Sequence, residues 1–232
     1  MRGAANCGGS GGWWRSRVRR RAFTLIELVM VVAIVGLLAA LVLPVVGWVR
    51  VLSMRVACMG NLEQLSGVLM AYADDHANVI PASANHGITD AASSPAWFYR
   101  LPAFLGQVGM RTRRSIFQCA AYAHQQPRYF TSASPKSLKM NCRLDEDGRP
   151  WCFLLDSVSD ASSLMLFIDG VAGETGMGQW GDAHPTGVDD RRHQGRVNVL
   201  YADGHSRAVV RAPADHDWEK AITWMSADWA PP

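Results

Sequence analysis

Histidine and acidic side chains gather in one stretch of the C-terminal third, and these residue types could bind a metal ion. They are Asp182, His184, Asp189, Asp190, His193, Asp203 and His205. A hard cation takes several oxygen ligands from one loop, so Asp182, Asp189 and Asp190 could hold calcium. The zinc-binding spacings HExxH and CxxC are absent from the sequence. We therefore expect a solvated acidic loop with no metal or other cofactor, and calcium is the alternative.

A second chemically unusual residue is Glu27, which lies in an apolar run that starts at Phe23. Leu28 to Val49 holds 22 residues without a charged side chain, enough to span a bilayer core of about 30 Å. Arginine residues precede the run, so we expect its N-terminal end in the cytoplasm and the remaining chain across the membrane. A secretory signal peptide or a simple anchor would share this pattern, but a carboxylate at membrane depth usually has a partner or a function.

The charge distribution argues against nucleic-acid binding. Residues 1–22 contain six of the 23 basic side chains and no acidic one, so the remaining chain holds 17 basic against 20 acidic side chains. The net charge of +3 therefore belongs to the N-terminal tail. The rest of the chain has no excess of positive charge that could attract phosphates.

The string RRRAFTLIEL at residues 19–28 resembles the prepilin-type cleavage and methylation motif of type IV pilins and type II secretion pseudopilins. The resemblance implies a cut between Ala22 and Phe23, followed by N-methylation of Phe23. Glu27 then matches the near-invariant fifth residue of the mature family members, and Pro44 matches a position where many of them also have proline. The family usually has glycine where this chain has Ala22, the smallest side-chain replacement, so we expect cleavage to be retained.

The resemblance also gives Glu27 a physical role in assembly. An ammonium group cannot stay unpaired in hydrocarbon, and the carboxylate lies one helical turn from the new N-terminus, within reach of a neighbouring subunit's amine. Such a pair would set the axial register of a filament. The alternative is that Glu27 extends to the membrane interface beside the arginine side chains.

His193, nine intervening residues and Asp203-Gly204 resemble the H-x9-DG motif of prepilin-like proteins from planctomycetes and their relatives. The alternating residues on either side of Asp203-Gly204 predict a β-hairpin with a two-residue primed turn. That turn would pair Tyr201 with Ser206 and Val199 with Ala208. We interpret His193 as a structural residue that hydrogen-bonds the neighbourhood of the turn or a facing loop.

Five cysteine residues do not make a disulfide scaffold. Cys7 leaves with the leader, and Cys58 reads as a small apolar helix residue. Disulfides can form in a body that is exported from the cytoplasm. We therefore expect one disulfide among the remaining three cysteines, Cys119, Cys142 and Cys152. The candidate pair is Cys142 and Cys152, which flank the turn signal DEDG at residues 145–148.

The predicted fold class is α+β: a long N-terminal transmembrane and amphipathic helix with a small antiparallel sheet, as in pilins. We divide the chain into a leader (1–22), the helix (23–77, spanning the membrane at about 28–49) and an exported body (78–232). Pro44 and Gly47 should kink or locally unwind the helix, which the spacing of apolar residues extends to about Asp75. Further predicted elements are a short helix at Trp97–Leu105, a buried strand ending at Asp169-Gly170 and a tail helix from about Asp215 to Ser226.

These features together predict a structural subunit rather than an enzyme. By resemblance, its partners would be a prepilin peptidase, other pilin-like subunits and an inner-membrane assembly platform, in a type IV pilus or a type II secretion pseudopilus. It would be a single-pass protein of the bacterial inner membrane with a periplasmic body, or part of a cell-surface filament. The alternative is a membrane-anchored extracytoplasmic metal-dependent enzyme or ligand-binding protein that uses the histidine-rich and acidic loops.

Overall fold

The computed structural model describes residues 23–88, 90–106, 115–125, 137–144, 153–170, 182–210 and 218–224. The helices are α1 (Leu25–Asp75), α2 (Trp97–Phe104), α3 (Ala120–Gln125) and α4 (Trp218–Ala221). The strands are β1 (Val79–Ile80), β2 (Leu138–Asn141), β3 (Phe153–Leu154), β4 (Met165–Asp169), β5 (Asp182–Ala183), β6 (Arg196–Tyr201) and β7 (Ser206–Val210). The chain divides into two compact units, Met1–Val46 and Gly47–Pro232.

The described part of the N-terminal unit is residues 23–46, and residues 25–46 are the first section of α1, whose side chains are exposed and, apart from Glu27, apolar. α1 is long and apolar enough to cross a membrane, as judged by length and composition. The helix continues without interruption through Pro44 and Gly47, so the predicted unwinding at these residues is not seen. A kink at Pro44 stays a prediction.

The second section of α1 forms one side of the core of the larger unit. Its buried residues recur every three or four positions, which is the period of one helix face. They are Cys58, Leu62, Leu65, Ser66, Leu69 and Ala73. The predicted amphipathic helix to Asp75 is therefore confirmed, and Leu52 and Val56, near the start of this section, are exposed.

The larger sheet has five strands in the order β5-β2-β4-β6-β7. All neighbouring strands are antiparallel except β5, which lies parallel to β2. A separate two-stranded sheet pairs β1 with β3. The fold class is α+β, as predicted from the sequence.

The five-stranded sheet buries both of its faces. Leu138, Met140, Phe167 and Leu200 pack in one hydrophobic cluster with the buried stripe of α1, and we call this side the α1 face. Met165, Ile168, Val197, Val199 and Val209 pack in a second cluster with Trp218 and Trp224, on the α4 face. Burial on both faces explains why β4 reads as a continuous apolar run rather than an alternating one. The predicted strand ending at Asp169 is confirmed.

The β6–β7 hairpin forms where it was predicted, but its register differs by one residue. Leu200 pairs with Ser206 and Val199 with Arg207, so the predicted pairs of Tyr201 with Ser206 and Val199 with Ala208 are wrong. The loop has three residues: the N–H of Gly204 donates to the carbonyl of Tyr201, and the N–H of Tyr201 donates to the carbonyl of His205. Among the loop residues only Gly204 has a positive φ, at 92°. This is a three-residue loop with glycine in the left-handed position.

Two shorter helix predictions have different outcomes. The helix predicted at Trp97–Leu105 is confirmed as α2. The tail helix predicted from about Asp215 to Ser226 is α4, Trp218–Ala221, within the described segment 218–224. Ile222 already follows the helix, and Thr223 bridges to Leu164 beside β4. The prediction is therefore wrong for residues 222–224, and residues 215–217, 225 and 226 lie outside the described ones.

We expect Gly204→Ala to lower the free energy of unfolding by about 1–3 kcal/mol. The substitution introduces a Cβ at a φ of 92°, and that Cβ would lie 2.9 Å from Ser66 Oγ. Urea unfolding of the full chain in detergent, followed by tryptophan fluorescence, measures the change. Gly187→Ala is the control, because a Cβ there has no heavy atom within 4 Å and Gly187 has no positive φ. Equal stability of Gly204→Ala and wild type would contradict the loop assignment. Ser66→Ala removes the hydroxyl that the new Cβ would contact. If Gly204→Ala still lowers the free energy of unfolding in that variant, backbone strain is the cause.

Candidate functional site

The first described residues form a cap at the N-terminus of α1. The N–H of Thr24 donates to Glu27 Oε2 at 2.8 Å, and the Thr24 hydroxyl donates to the same oxygen at 2.9 Å. The N–H of Glu27 in turn donates to Thr24 Oγ1 at 3.3 Å. This reciprocal arrangement is a capping box, which satisfies N–H groups that have no partner within the helix.

The capping box gives Glu27 a role that the sequence analysis missed, although Thr24-x-x-Glu27 is the sequence signal for it. Both hydrogen bonds that Glu27 accepts end on Oε2, which leaves Oε1 as an acceptor for another group. Phe23, the expected methylated residue, precedes the cap and is 80% exposed. Ala22, on the other side of the expected cut, lies outside the described residues.

A second arrangement of polar residues lies inside the larger unit, centred on the buried carboxylate of Asp169. We call Asp169, Asp189, Arg192, His193 and Asn198 the buried polar cluster; each is at most 2% exposed. Asp169 Oδ2 accepts the N–H of Asn198 at 2.9 Å and lies 3.3 Å from His193 Nε2. Asp169 Oδ1 lies 3.5 Å from the Arg192 guanidinium. A buried charge must be paired in this way or its burial is prohibitively costly.

The Arg192 guanidinium ties three chain segments together. It donates to the carbonyl oxygens of Ser137 at 3.0 Å and Gly170 at 2.7 Å. Its Nε lies 3.6 Å from Asp189 Oδ2, and its charge lies 5.8 Å from the centre of the Tyr122 ring. The guanidinium therefore fixes the position of the 3₁₀ turn at 191–193, which brings His193 to Asp169.

Cys58 and Cys119 form a disulfide between α1 and the segment before α3, at a sequence separation of 61 residues. The interpretation of Cys58 as a simple apolar residue is therefore wrong; the pattern of the helix showed its burial but not its distant partner. Cys119 Sγ lies 3.3 Å from His193 Nε2, so the disulfide adjoins the buried polar cluster. Cys152 and residues 145–148 lie outside the described residues, and the pairing of Cys142 with Cys152 stays a prediction.

His193 and Asp203-Gly204 lie at opposite ends of β6. His193 therefore contacts Asp169 and Cys119 rather than the neighbourhood of the turn. Asp203 Oδ1 instead accepts the N–H of His205 at 3.1 Å and lies 2.6 Å from the ring Nδ1 of His205. The His205 ring stacks on Tyr201 with 4.5 Å between the centroids. Burial raises the pKa of Tyr201 above its ordinary value, and the positive charge of Arg207 opposes that rise.

Two of the acidic and histidine residues that the sequence analysis grouped, Asp189 and His184, contact residues outside that group. The Asp189 carboxylate accepts from the backbone N–H and Nε of Arg191 at 3.1 Å each, and it also faces Arg192. His184 Nδ1 lies 3.4 Å from Cys142 Sγ. The calcium alternative loses Asp189, since two arginine side chains already occupy its carboxylate.

Comparison with known families finds the prokaryotic N-terminal methylation motif at residues 17–43. This is the prepilin signature of type IV pilins and pseudopilins, and the chain carries it where the sequence resemblance indicated. The match covers the last residues of the leader and the N-terminal turns of α1, and it does not extend to the H-x9-DG residues. No curated protein and no solved structure matches the chain.

We expect Asp169→Ala to lower the free energy of unfolding by about 3–5 kcal/mol, because it leaves the buried Arg192 charge without its carboxylate. Asp169→Asn removes the charge but keeps an acceptor for the Asn198 N–H. Comparing the two variants therefore shows how much of the lost stability comes from the charge and how much from the hydrogen bond. The matched control is Asp203→Ala, which breaks an aspartate–histidine pair whose side chains are 37% and 43% exposed. Solvent screening limits that loss to about 1 kcal/mol or less. Equal losses at Asp169 and Asp203 in urea unfolding would refute the central role of Asp169.

Proposed function

We propose that the chain is a membrane-anchored, pilin-like structural subunit. A prepilin peptidase cuts it before Phe23, and the mature subunit assembles through the first section of α1 into a type IV pilus or a type II secretion pseudopilus. The observation that carries this proposal is the N-terminal methylation motif at residues 17–43, because it joins a basic leader to a helix of membrane-spanning length.

The exposure of the first section of α1 supports assembly. Its large apolar side chains are more than half exposed, from Leu25 at 81% to Val31 at 51%. An apolar surface of this extent must be covered by lipid or by other protein. A helix that is apolar on all sides suits both the bilayer and a bundle of identical helices. We infer that the helix moves from the inner membrane into the core of a filament, while the body lies on the periplasmic side.

A structural role also fits the chemistry of the body better than catalysis does. The most reactive grouping among the described residues, Asp169 with His193 and the disulfide, is at most 1% exposed, so a substrate has no surface to approach. The other aspartate–histidine pair, Asp203 with His205, closes a hairpin loop. We therefore propose a structural subunit in preference to the anchored enzyme or ligand-binding protein.

Processing gives the most direct test of this function. When the chain is co-expressed with a prepilin peptidase, we expect the mature protein to begin at N-methylated Phe23. Intact mass and N-terminal sequencing measure this. Ala22→Gly, which restores the residue that the family usually has, should be cut at least as fast. A mature terminus near Ala39 or Ala40 would indicate a secretory signal peptide, and the proposal would then fail.

The capping box allows the charge of Glu27 to be tested separately from its structural role. Glu27→Gln keeps a side chain that suits the capping box but cannot neutralise a neighbour's methylated amine. Thr24→Ala weakens the cap by about 1 kcal/mol and keeps the carboxylate. We expect both variants to insert into the membrane and Glu27→Gln alone to lose assembly, measured as the subunit fraction in sheared filaments. The opposite result, with Thr24→Ala defective and Glu27→Gln normal, would mean that Glu27 acts only as a cap.

A further inference from the structure

One end of the α1 face brings together two sulfur atoms, an imidazole and a carboxylate. The Sγ atoms of Cys58 and Cys119 and a ring nitrogen of His193 all lie within 4.8 Å of one another, and all three residues are buried. The residues come from α1, from the segment before α3 and from the turn before β6. Their convergence therefore depends on the completed tertiary fold.

The distances around His193 Nε2 suit a tetrahedral metal ion. Zinc binds sulfur at about 2.3 Å and nitrogen or oxygen at about 2.0–2.2 Å, so neighbouring ligand atoms in a tetrahedron lie about 3.3–3.8 Å apart. His193 Nε2 lies 3.3 Å from Cys119 Sγ and 3.3 Å from Asp169 Oδ2. One nitrogen thus already has a sulfur and a carboxylate oxygen at the separations that zinc ligands require.

We propose that the reduced chain binds one Zn²⁺ ion through Cys58, Cys119 and His193, and that the Asp169 carboxylate, which lies beside His193 Nε2, supplies the fourth ligand. Zinc accepts two thiolates with one imidazole and one carboxylate, and four protein ligands are typical of a structural site. The burial of all four residues also indicates a closed structural site rather than a catalytic one that keeps an open position.

The surroundings of Asp169 prepare its carboxylate for this role. Oδ2, which faces His193, accepts the backbone N–H of Asn198 at 2.9 Å, and Oδ1 lies 3.5 Å from Arg192. Hydrogen bonds of this kind orient metal-binding carboxylates. Zinc with two thiolates and one carboxylate has a net charge of −1, and the Arg192 guanidinium supplies the compensating positive charge.

Zinc binding and the disulfide are alternative ways to join α1 to the segment before α3. On binding, the two thiols release their protons to solvent and each sulfur donates an electron pair to Zn²⁺; no electron is transferred. The disulfide form has no thiolate to donate, so it cannot bind the ion in this way. Cysteine enters every newly made chain as a thiol, so both forms arise from the same reduced Cys58 and Cys119.

The test uses the full chain in detergent, with Cys7, Cys142 and Cys152 replaced by serine so that only the proposed thiols remain. This removes Cys142, which lies 3.4 Å from His184 and could compete for metal. After reduction and dialysis against Zn²⁺, elemental analysis should find one zinc per chain, and the oxidised protein should retain none. The proposal is overturned if the reduced protein binds no zinc or if the oxidised protein binds as much.

Ligand identity is tested with Co²⁺ in the same reduced protein, which needs no further variant to fold. We expect the strong visible bands of tetrahedral cobalt with a thiolate charge-transfer band; the weak spectrum of an octahedral oxygen site would refute the proposal. His193→Ala should weaken zinc binding by at least about 100-fold, beyond the 10–100-fold typical of outer contacts. The matched control His205→Ala, at the exposed hairpin loop, should leave the affinity unchanged. Near-UV circular dichroism confirms that both variants fold, and equal affinities in the two would exclude His193 as a ligand.

Discussion

The larger unit depends on the neutralisation of one buried carboxylate. Asp169 ends β4 with no exposed surface, so every charge and hydrogen bond that it needs must come from within the protein. Its partners are Arg192, His193 and the backbone of Asn198, and together they fix the path of the chain from the 3₁₀ turn into β6. His193 also touches Cys119, which is bonded to α1. The central strand and the long helix are therefore joined by a continuous series of contacts.

Local sequence patterns predicted the elements well where the spacing of apolar residues directly reflects which side chains are buried. The apolar period predicted α1 to Asp75, and the short apolar runs predicted β4 and α2. The capping signal at Thr24 and Glu27 was equally local, but the carboxylate was interpreted as a partner for another subunit or as a side chain that reaches the membrane interface, and its role as a cap was missed. Contacts between segments that are distant in the sequence could not be predicted from local patterns. Cys58 lies on an apolar stripe like its neighbours, and no local feature pairs it with a residue 61 positions away.

The hairpin shows how one backbone angle changes several side-chain assignments. Asp203-Gly204 correctly indicated the turn, but a primed two-residue turn requires a positive φ at both residues. Only Gly204 has one, because Asp203 accepts the N–H of His205 two residues on, a local bond that aspartate often makes in turns. The loop therefore gains one residue, and the strand after it moves by one position. Val197 therefore pairs with Val209, which is buried, and Val210 is exposed; the predicted register would have paired Val197 with Val210.

The disulfide between Cys58 and Cys119 also changes the topology of the chain, since it closes a covalent ring that contains β1, α2 and the end of α1. A protease that cuts one peptide bond within this ring would open it without releasing either piece. The product would keep its mass on a non-reducing gel and separate into two bands only after the sulfur–sulfur bond is broken. Through this ring the chain tolerates one break in its backbone and remains one molecule.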